Sequence, residues 1–259
     1  MTFALASVPS RLAVPPPARA RVISFRDAGT RRTSYAERGP CLPVGLDAEV
    51  LRKLDALFCE QTRLRKREVL YRAGAAFTAL YAIRTGTFKT LVMAEDGREQ
   101  ITAYHMAGDI VGLDGIGEER HACETIALED SEVCALPFVK LNDLAHRVPA
   151  LQRNLFRLIS RDLCRGQDMM LLLGSMRADE RLAAFLLNLA ERHRSRGHSA
   201  SEFTLRMTRE EIASYLGLKL ETVSRVFSHL HEGGLIQVQG RAIKLLDLPA
   251  LSQLAGRGR

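Results

Sequence analysis

No stretch of the 259-residue chain approaches the roughly 18 consecutive apolar residues that a membrane-spanning helix needs. The N-terminus lacks an apolar block ahead of a small-residue cleavage site, so neither a membrane protein nor a secreted one is predicted. Cysteine is sparse and odd in number. Cys41, Cys59, Cys123, Cys134 and Cys164 stand at irregular separations, and the first forty residues hold none. Such a set argues against a disulfide framework and for a reducing compartment. Catalytic constellations are missing too. The seven histidines are dispersed, and no Ser-His-Asp arrangement, phosphate-binding glycine loop, zinc-ligand spacing or paired-carboxylate motif occurs. These absences predict a soluble cytoplasmic protein that is not an enzyme and has no membrane partner.

What is there begins with size and charge. At 46% hydrophobic and 26% charged, the chain can bury a sizeable core, and its length suggests two domains plus a tail. The net charge of +7 is unevenly spread: residues 1–40 carry +5, residues 41–177 carry −1 and residues 178–259 carry +3. A basic terminal domain is what a polyanion binder shows.

Residues 1–40, with Pro15-Pro16-Pro17 and scattered arginine, have no sustained period and read as a disordered basic leader. From Asp47 to Cys59 the apolar residues recur at helical spacing. The period then shortens. Glu68–Tyr71, Leu80–Ile83, Phe88–Met93, Gln100–Tyr104, Asp109–Val111, Thr125–Ala127 and Glu132–Leu136 are strand-like runs divided by glycine-bearing turns, with Asp96-Gly97 the clearest hairpin signal. That spacing predicts a double-sheet jelly roll over residues 41–147.

A long helix is predicted from Pro149 to about Met176, making residues 148–177 one element. Leu151, Leu155, Leu158, Asp162, Arg165, Met169 and Leu172 follow alternating steps of four and three, the seam of a two-helix coiled coil. At about 39 Å such a helix is long for one small barrel to cover, which favours a dimer seam over packing on its own barrel.

Residues 178–259 carry the chemistry. A helix over 179–194 leads to the capping box Thr208-Arg209-Glu210-Glu211, a short helix stopped by Gly217, and a second helix from Leu220 to about His231. Two helices joined by a short glycine turn form a helix-turn-helix. Val223, Val226, Phe227 and Leu230 would face inward, leaving Glu221, Thr222, Ser224, Arg225, Ser228 and His229 outside. Arginine, carboxylate and hydroxyl groups are the types that read base edges, and Glu221, Ser224 and Arg225 share one face near the helix N-terminus. A polar face can also be merely solvated, with Glu221 and Arg225 paired to each other. Leu235–Val238 and Ala242–Leu245, turned at Gly240-Arg241, add a wing. The overall prediction is an α+β chain of jelly roll, dimerisation helix and winged helix-turn-helix that binds double-stranded DNA. Thr208, Arg209, Lys219 and Thr222 would hold the backbone. Lys219 stands where a side-chain cap for the reading helix would sit, so that cap is expected to be missing.

This order of parts, with Glu221-Thr222-Val223-Ser224-Arg225 on the second helix, resembles the CRP/FNR superfamily of bacterial transcription regulators over about residues 41–256. Leu80-Tyr81-Ala82-Ile83-Arg84-Thr85-Gly86, Gln167-Asp168-Met169 and Glu180-Arg181-Leu182-Ala183-Ala184-Phe185 resemble its FNR branch, which includes the FixK relatives. The resemblance implies a homodimer on a palindromic site, with half-sites about one helical turn (~34 Å) apart. It implies a TTGAT-type box read by Glu221, Ser224 and Arg225. It also implies contact with RNA polymerase through Glu95, Asp96 and Gly97 and through Arg196, His198 and Ser199.

Family members that take cyclic nucleotides hold the ligand with a Gly-Glu and an Arg-Ser pair. Here the matching positions read Gly112-Leu113 and Arg120-His121-Ala122-Cys123, so that ligand is not expected. Oxygen-sensing members hold a [4Fe–4S] cluster on four thiolates. Cys41 and Cys134 match two of those positions and the other two are missing, so no cofactor and no metal are expected. The alternative is a redox switch whose cluster sits on a non-standard set, Cys41 and Cys134 with Cys59 and Cys123.

Overall fold

In a computed structural model, residues 60–256 are described. The leader, the helix predicted over 47–59, Cys41 and Cys59 lie outside them. Eight strands form the first domain: β1 (Glu60–Leu64), β2 (Val69–Tyr71), β3 (Ala79–Thr85), β4 (Thr87–Met93), β5 (Glu99–Met106), β6 (Ile110–Val111), β7 (Glu124–Ala127) and β8 (Ser131–Pro137). They pair antiparallel into two four-stranded sheets, ordered β1-β8-β3-β6 and β2-β7-β4-β5. This is the predicted double-sheet jelly roll.

Strand periodicity sorts the core. On β3, Ala79, Tyr81 and Ile83 join Phe88, Ala127 and Val133 in a cluster shared by both sheets, while Leu80 and Ala82 turn the other way. That second face, with Cys134 and Leu136 of β8, is covered by α1 (Phe138–Arg147) and the start of α2 (Pro149–Ser175) through Leu141, Ala145 and Leu151. Side chains alternating across a strand are what allow one sheet to serve two cores.

The C-terminal part runs α3 (Ala178–Arg194), β9 (Glu202–Thr204), α4 (Arg209–Leu216), α5 (Leu220–Glu232), β10 (Ile236–Gln239), β11 (Ala242–Leu245) and α6 (Leu248–Leu254). The predicted wing hairpin gains a third strand, giving the order β10-β11-β9. The core of this part is continuous with the barrel: Leu91, Ile101, Tyr104 and Met106 of β4 and β5 belong to the same buried cluster as Leu182, Phe185 and Ile212. Tyr104 packs against Phe185 and Tyr215, with ring centroids 6.1 and 5.0 Å away. No helix among the described residues is long and apolar enough to cross a membrane.

The long helix differs from its predicted use. Leu151 is fully buried, and Leu155 and Leu158 pack half-buried on the same barrel cluster, so these three face their own subunit. Asp162, Met169 and Leu172 line a cavity of about 430 Å³ between barrel, α2 and α3. The apolar side chains that α2 leaves in solvent are Phe156, Ile159, Leu163, Met170 and Leu171.

Candidate nucleic-acid interface

The reading unit is built on two helix ends. The Thr208 hydroxyl accepts from the Glu211 amide at 3.1 Å, and the Glu211 carboxylate accepts from the Thr208 amide at 2.8 Å. This reciprocal box satisfies two donors that the first turn of α4 would otherwise leave unpaired. Gly217 then ends α4 at φ 60°, a left-handed conformation that costs glycine little, and the chain re-enters a helix three residues later. Lys219 stands at the N-cap of α5 with no side-chain cap bond, as the sequence suggested.

Val223, Phe227 and Leu230 are buried and Val226 packs on the same core, so α5 turns one fixed side inward. Glu221, Ser224, Arg225, Ser228 and His229 are exposed on the other, and Thr222 is half-buried. The surface ion-pair reading fails here: Arg225 Nε reaches the carbonyl oxygen of Glu221 at 3.4 Å, and no Glu221–Arg225 salt bridge occurs among the described residues. Both charges stay open to a partner. Of the candidate backbone contacts, Thr208 and Lys219 are exposed. Arg209 is held inward, its guanidinium 3.3 Å from the centre of the Phe227 ring, and burial lowers its pKa. A cation over an aromatic face ties α4 to α5, and Arg209 has less freedom to reach a phosphate than the sequence implied.

The two regions expected at the polymerase part company. Glu95, Asp96 and Gly97 form the exposed tip of the β4–β5 hairpin, where Gly97 has φ 83° and Arg98 holds Asp96 at 2.7 Å. His198 and Ser199 are exposed as well, but Arg196 is not a free surface cation. Its guanidinium donates to Asp109 at 2.8 Å and to the Ala107 carbonyl at 2.6 Å. Sequence position alone gives no sign of that long-range partner.

Where the nucleotide-binding relatives carry their Gly-Glu pair, Gly112 has a left-handed conformation, with φ 97°. Asp114 accepts from the amides of Ala122 and Cys123 at 2.9 and 3.1 Å. Burial opposes that carboxylate's charge, yet His121 at 3.5 Å and the two amides hold its pKa below the usual value. His121 itself is buried and stacked on Tyr71, 3.8 Å between centroids. Arg120 is spent on the Gly74 carbonyl at 2.7 Å. Asp114 thus occupies both amides, and its charge would disfavour a second anion beside it.

The thiols are dissimilar. Cys134 is buried on β8 among Leu80, Ala82 and Leu136, Cys123 is half-buried, and Cys164 is exposed on α2. Burial, with Asp114 nearby, pushes the Cys123 thiol up to about 11. No group of three or more potential metal-ligating side chains occurs among the described residues.

A barrel joined by a long helix to a winged helix-turn-helix, its second helix displaying an exposed polar face, defines a DNA-binding transcription regulator. Residues 61–147 match the cyclic nucleotide-binding domain family and residues 180–254 the Crp-like helix-turn-helix domain family. The chain is 45% identical over 217 residues to the transcriptional regulatory protein btr of Bordetella pertussis, covering 84% of this chain and 90% of that one. It is 43% identical to the fumarate and nitrate reduction regulatory protein of Escherichia coli, covering 85% and 88%. Among solved structures, FixK2 from Bradyrhizobium japonicum superposes with a TM-score of 0.70 at 34% identity, over 75% of this chain and 96% of that one. The chain belongs to the CRP/FNR family, in the branch of FNR- and FixK-like regulators. Such relatives are regulators of transcription, not enzymes.

Proposed function

We propose that the protein is a homodimeric, sequence-specific regulator that reads a TTGAT-type inverted repeat through α5 and contacts RNA polymerase. The observation that carries this reading is Glu221, Ser224 and Arg225, exposed and with no ion pair between them, on the solvent side of a helix whose opposite side is locked in the core. Arg225 would donate in bidentate fashion to guanine, Glu221 would accept from a cytosine amino group, and Ser224 would serve either role. Thr208, Lys219 and Thr222 position the domain on phosphates and contribute affinity without sequence preference.

Band-shift titration tests the assignment. Arg225→Ala should cost ~1–3 kcal/mol on the inverted repeat and flatten discrimination at one base pair. Lys219→Ala should weaken binding to all duplexes alike and lower the salt slope by about one. Equal losses for Arg225→Ala on matched and mismatched DNA would remove that residue from the reading set.

The exposed stripe of α2 supports the dimer. Phe156, Ile159, Leu163, Gly166 and Met170 follow steps of three and four, a second seam offset from the one the barrel occupies. Polymerase contact rests on the hairpin tip at Glu95, Asp96 and Gly97 with His198 and Ser199, now without Arg196. We further propose that the regulator works without a [4Fe–4S] cluster. Four thiolates are needed, and no cysteine lies in residues 1–40, where the leading ligand group would have to begin. Protein purified without oxygen should contain neither iron nor acid-labile sulfide. About four of each per subunit would instead support the redox switch with a cluster on a non-standard cysteine set.

A further inference from the structure

Arg181, near the start of α3, is half-buried where three helices meet. Its Nε donates to the Met176 carbonyl at 2.8 Å, its Nη2 to the Leu173 carbonyl at 2.9 Å and its Nη1 to the Leu216 carbonyl at 2.9 Å. Leu173 lies in the last turn of α2, Met176 is the C-cap of that helix, and Leu216 is the last residue of α4. Carbonyls at such places lack an intrahelical donor and form the negative pole of the helix dipole. One planar guanidinium therefore fastens the end of α2 to the end of the first reading-unit helix. The approach is close. A Cβ on Gly217, the residue after Leu216, would stand 3.1 Å from the Leu173 side chain and 3.6 Å from Arg181 Nη1. α5 starts three residues later, at Leu220.

Lys89 and Gln100 hold α4 to the barrel of its own subunit. The separation of two reading helices in a dimer depends instead on what ties each of them to α2, the helix that carries the exposed apolar stripe. We propose that Arg181 is a positioning residue for DNA recognition: it fixes α4 and α5 on the end of α2, so the dimer selects inverted repeats by the length of their spacer. The proposal rests on the homodimer that reads an inverted repeat through α5. It goes further by assigning spacer selectivity to a side chain whose three guanidinium nitrogens are all engaged within the protein. One base pair added between half-sites moves their centres apart by about 3.4 Å and turns one against the other by about a tenth of a turn. A rigidly held pair of helices cannot follow both changes. A loosely tied pair can.

Full-length protein, Arg181→Gln and Arg181→Lys are titrated by fluorescence anisotropy on a TTGAT-type inverted repeat and on copies with the spacer one base pair longer or shorter. Arg181→Lys keeps the charge but replaces the three-way fork by one nitrogen, and it serves if Arg181→Gln is unstable. Affinity ratios are taken within one preparation, so inactive protein cancels. The unaltered protein should lose about tenfold or more on either altered spacer, because the duplex must be twisted and stretched to fit. Both variants should lose most of that spacer penalty. A single base-pair change inside a half-site should still cost all three proteins the same factor, roughly tenfold. If a folded variant keeps the full spacer penalty, or weakens on every duplex in proportion, Arg181 has only a structural role and the proposal falls. It falls equally if the unaltered protein tolerates every spacer. Failure of the underlying reading looks different: the unaltered protein then binds the repeat no better than a lone half-site or a scrambled duplex.

Discussion

Asp109 joins three parts of the molecule through one carboxylate. It sits in the β5–β6 turn, accepts from Arg192 at 2.5 Å and from Arg196 at 2.8 Å, both from the α3 end, and has Arg165 of α2 at 3.7 Å. Burial opposes its charge, but Arg192, the adjacent His105 and Arg196 outweigh it and keep the carboxyl below its usual pKa. A buried charge of this kind is worth keeping only with its partners in place, because losing one leaves the other stranded. His105, next to it and fully shielded, bonds Thr90 Oγ1 through Nε2 at 3.0 Å. Its pKa falls to about 4, chiefly because burial disfavours the imidazolium and Arg192 and Arg165 add to that, while Asp109 pulls the other way. The unfolded chain therefore takes up a proton near 6.5 that the native state refuses until about 4. Stability from this group is present above 6.5 and drains as pH falls through that window, by about 3 kcal/mol. Below it, protonation of Asp109 adds to the loss. Urea unfolding between pH 7 and 4 should show this slope, and His105→Gln should flatten it by about one proton. An unchanged slope in the variant would assign the titration elsewhere.

At the scale of elements, α2 shows where periodicity stops being informative. Two stripes with alternating steps of three and four run along it, one through Leu151, Leu155 and Leu158, the other through Phe156, Ile159, Leu163, Gly166 and Met170. A single helix pattern cannot state which stripe meets the barrel. The rest of the subunit decides, with the barrel offering Leu80 and Leu136 and α1 offering Leu141 to the first. Substitutions should separate the two roles. Leu151→Ala should cost ~2–5 kcal/mol of subunit stability by opening a cavity. Leu163→Glu, at an exposed site, should leave denaturant unfolding of the subunit nearly unchanged and shift sedimentation from dimer to monomer. The reverse result would restore the seam first expected. Other elements escaped for local reasons. The edge strand β1 is mostly polar, with Leu64 as its buried apolar residue, so its period is faint, while α1 has an i, i+4 pair in Leu141 and Ala145 that helical spacing alone could have revealed. α4 and α5 were legible because a capping box, a glycine stop and a full apolar stripe all agree.

Across the whole molecule, the reading domain is not a bead on a string. Glu211 caps α4 with one carboxylate oxygen and takes Lys89 of the barrel on the other at 3.0 Å. Gln100 donates to the Ser214 carbonyl, and the Ile101 amide donates to the Ser214 hydroxyl at 3.1 Å. The first helix of the reading unit is thereby registered on β4 and β5. Ser214→Ala should leave the Ile101 amide without its acceptor, costing about 1–3 kcal/mol locally. Amide hydrogen exchange should then accelerate at Ile101 and its neighbours while the Thr208–Glu211 box keeps its protection. Uniform acceleration over both domains would mean the contact has no local role.

Sequence alone was sufficient for whatever depends on near neighbours along the chain: strand alternation with glycine turns, the capped helix pair, and which side of the second helix stays in solvent. Those follow from backbone geometry and from burying one side of each element. The inward pull of Arg196 on Asp109, the stacking of Arg209 on Phe227 and the face α2 gives its own barrel were settled only by folding. Each sets one group against a partner far away in the chain or across a helix pair. Charge and apolar character say that a partner is needed, and three-dimensional proximity chooses which one.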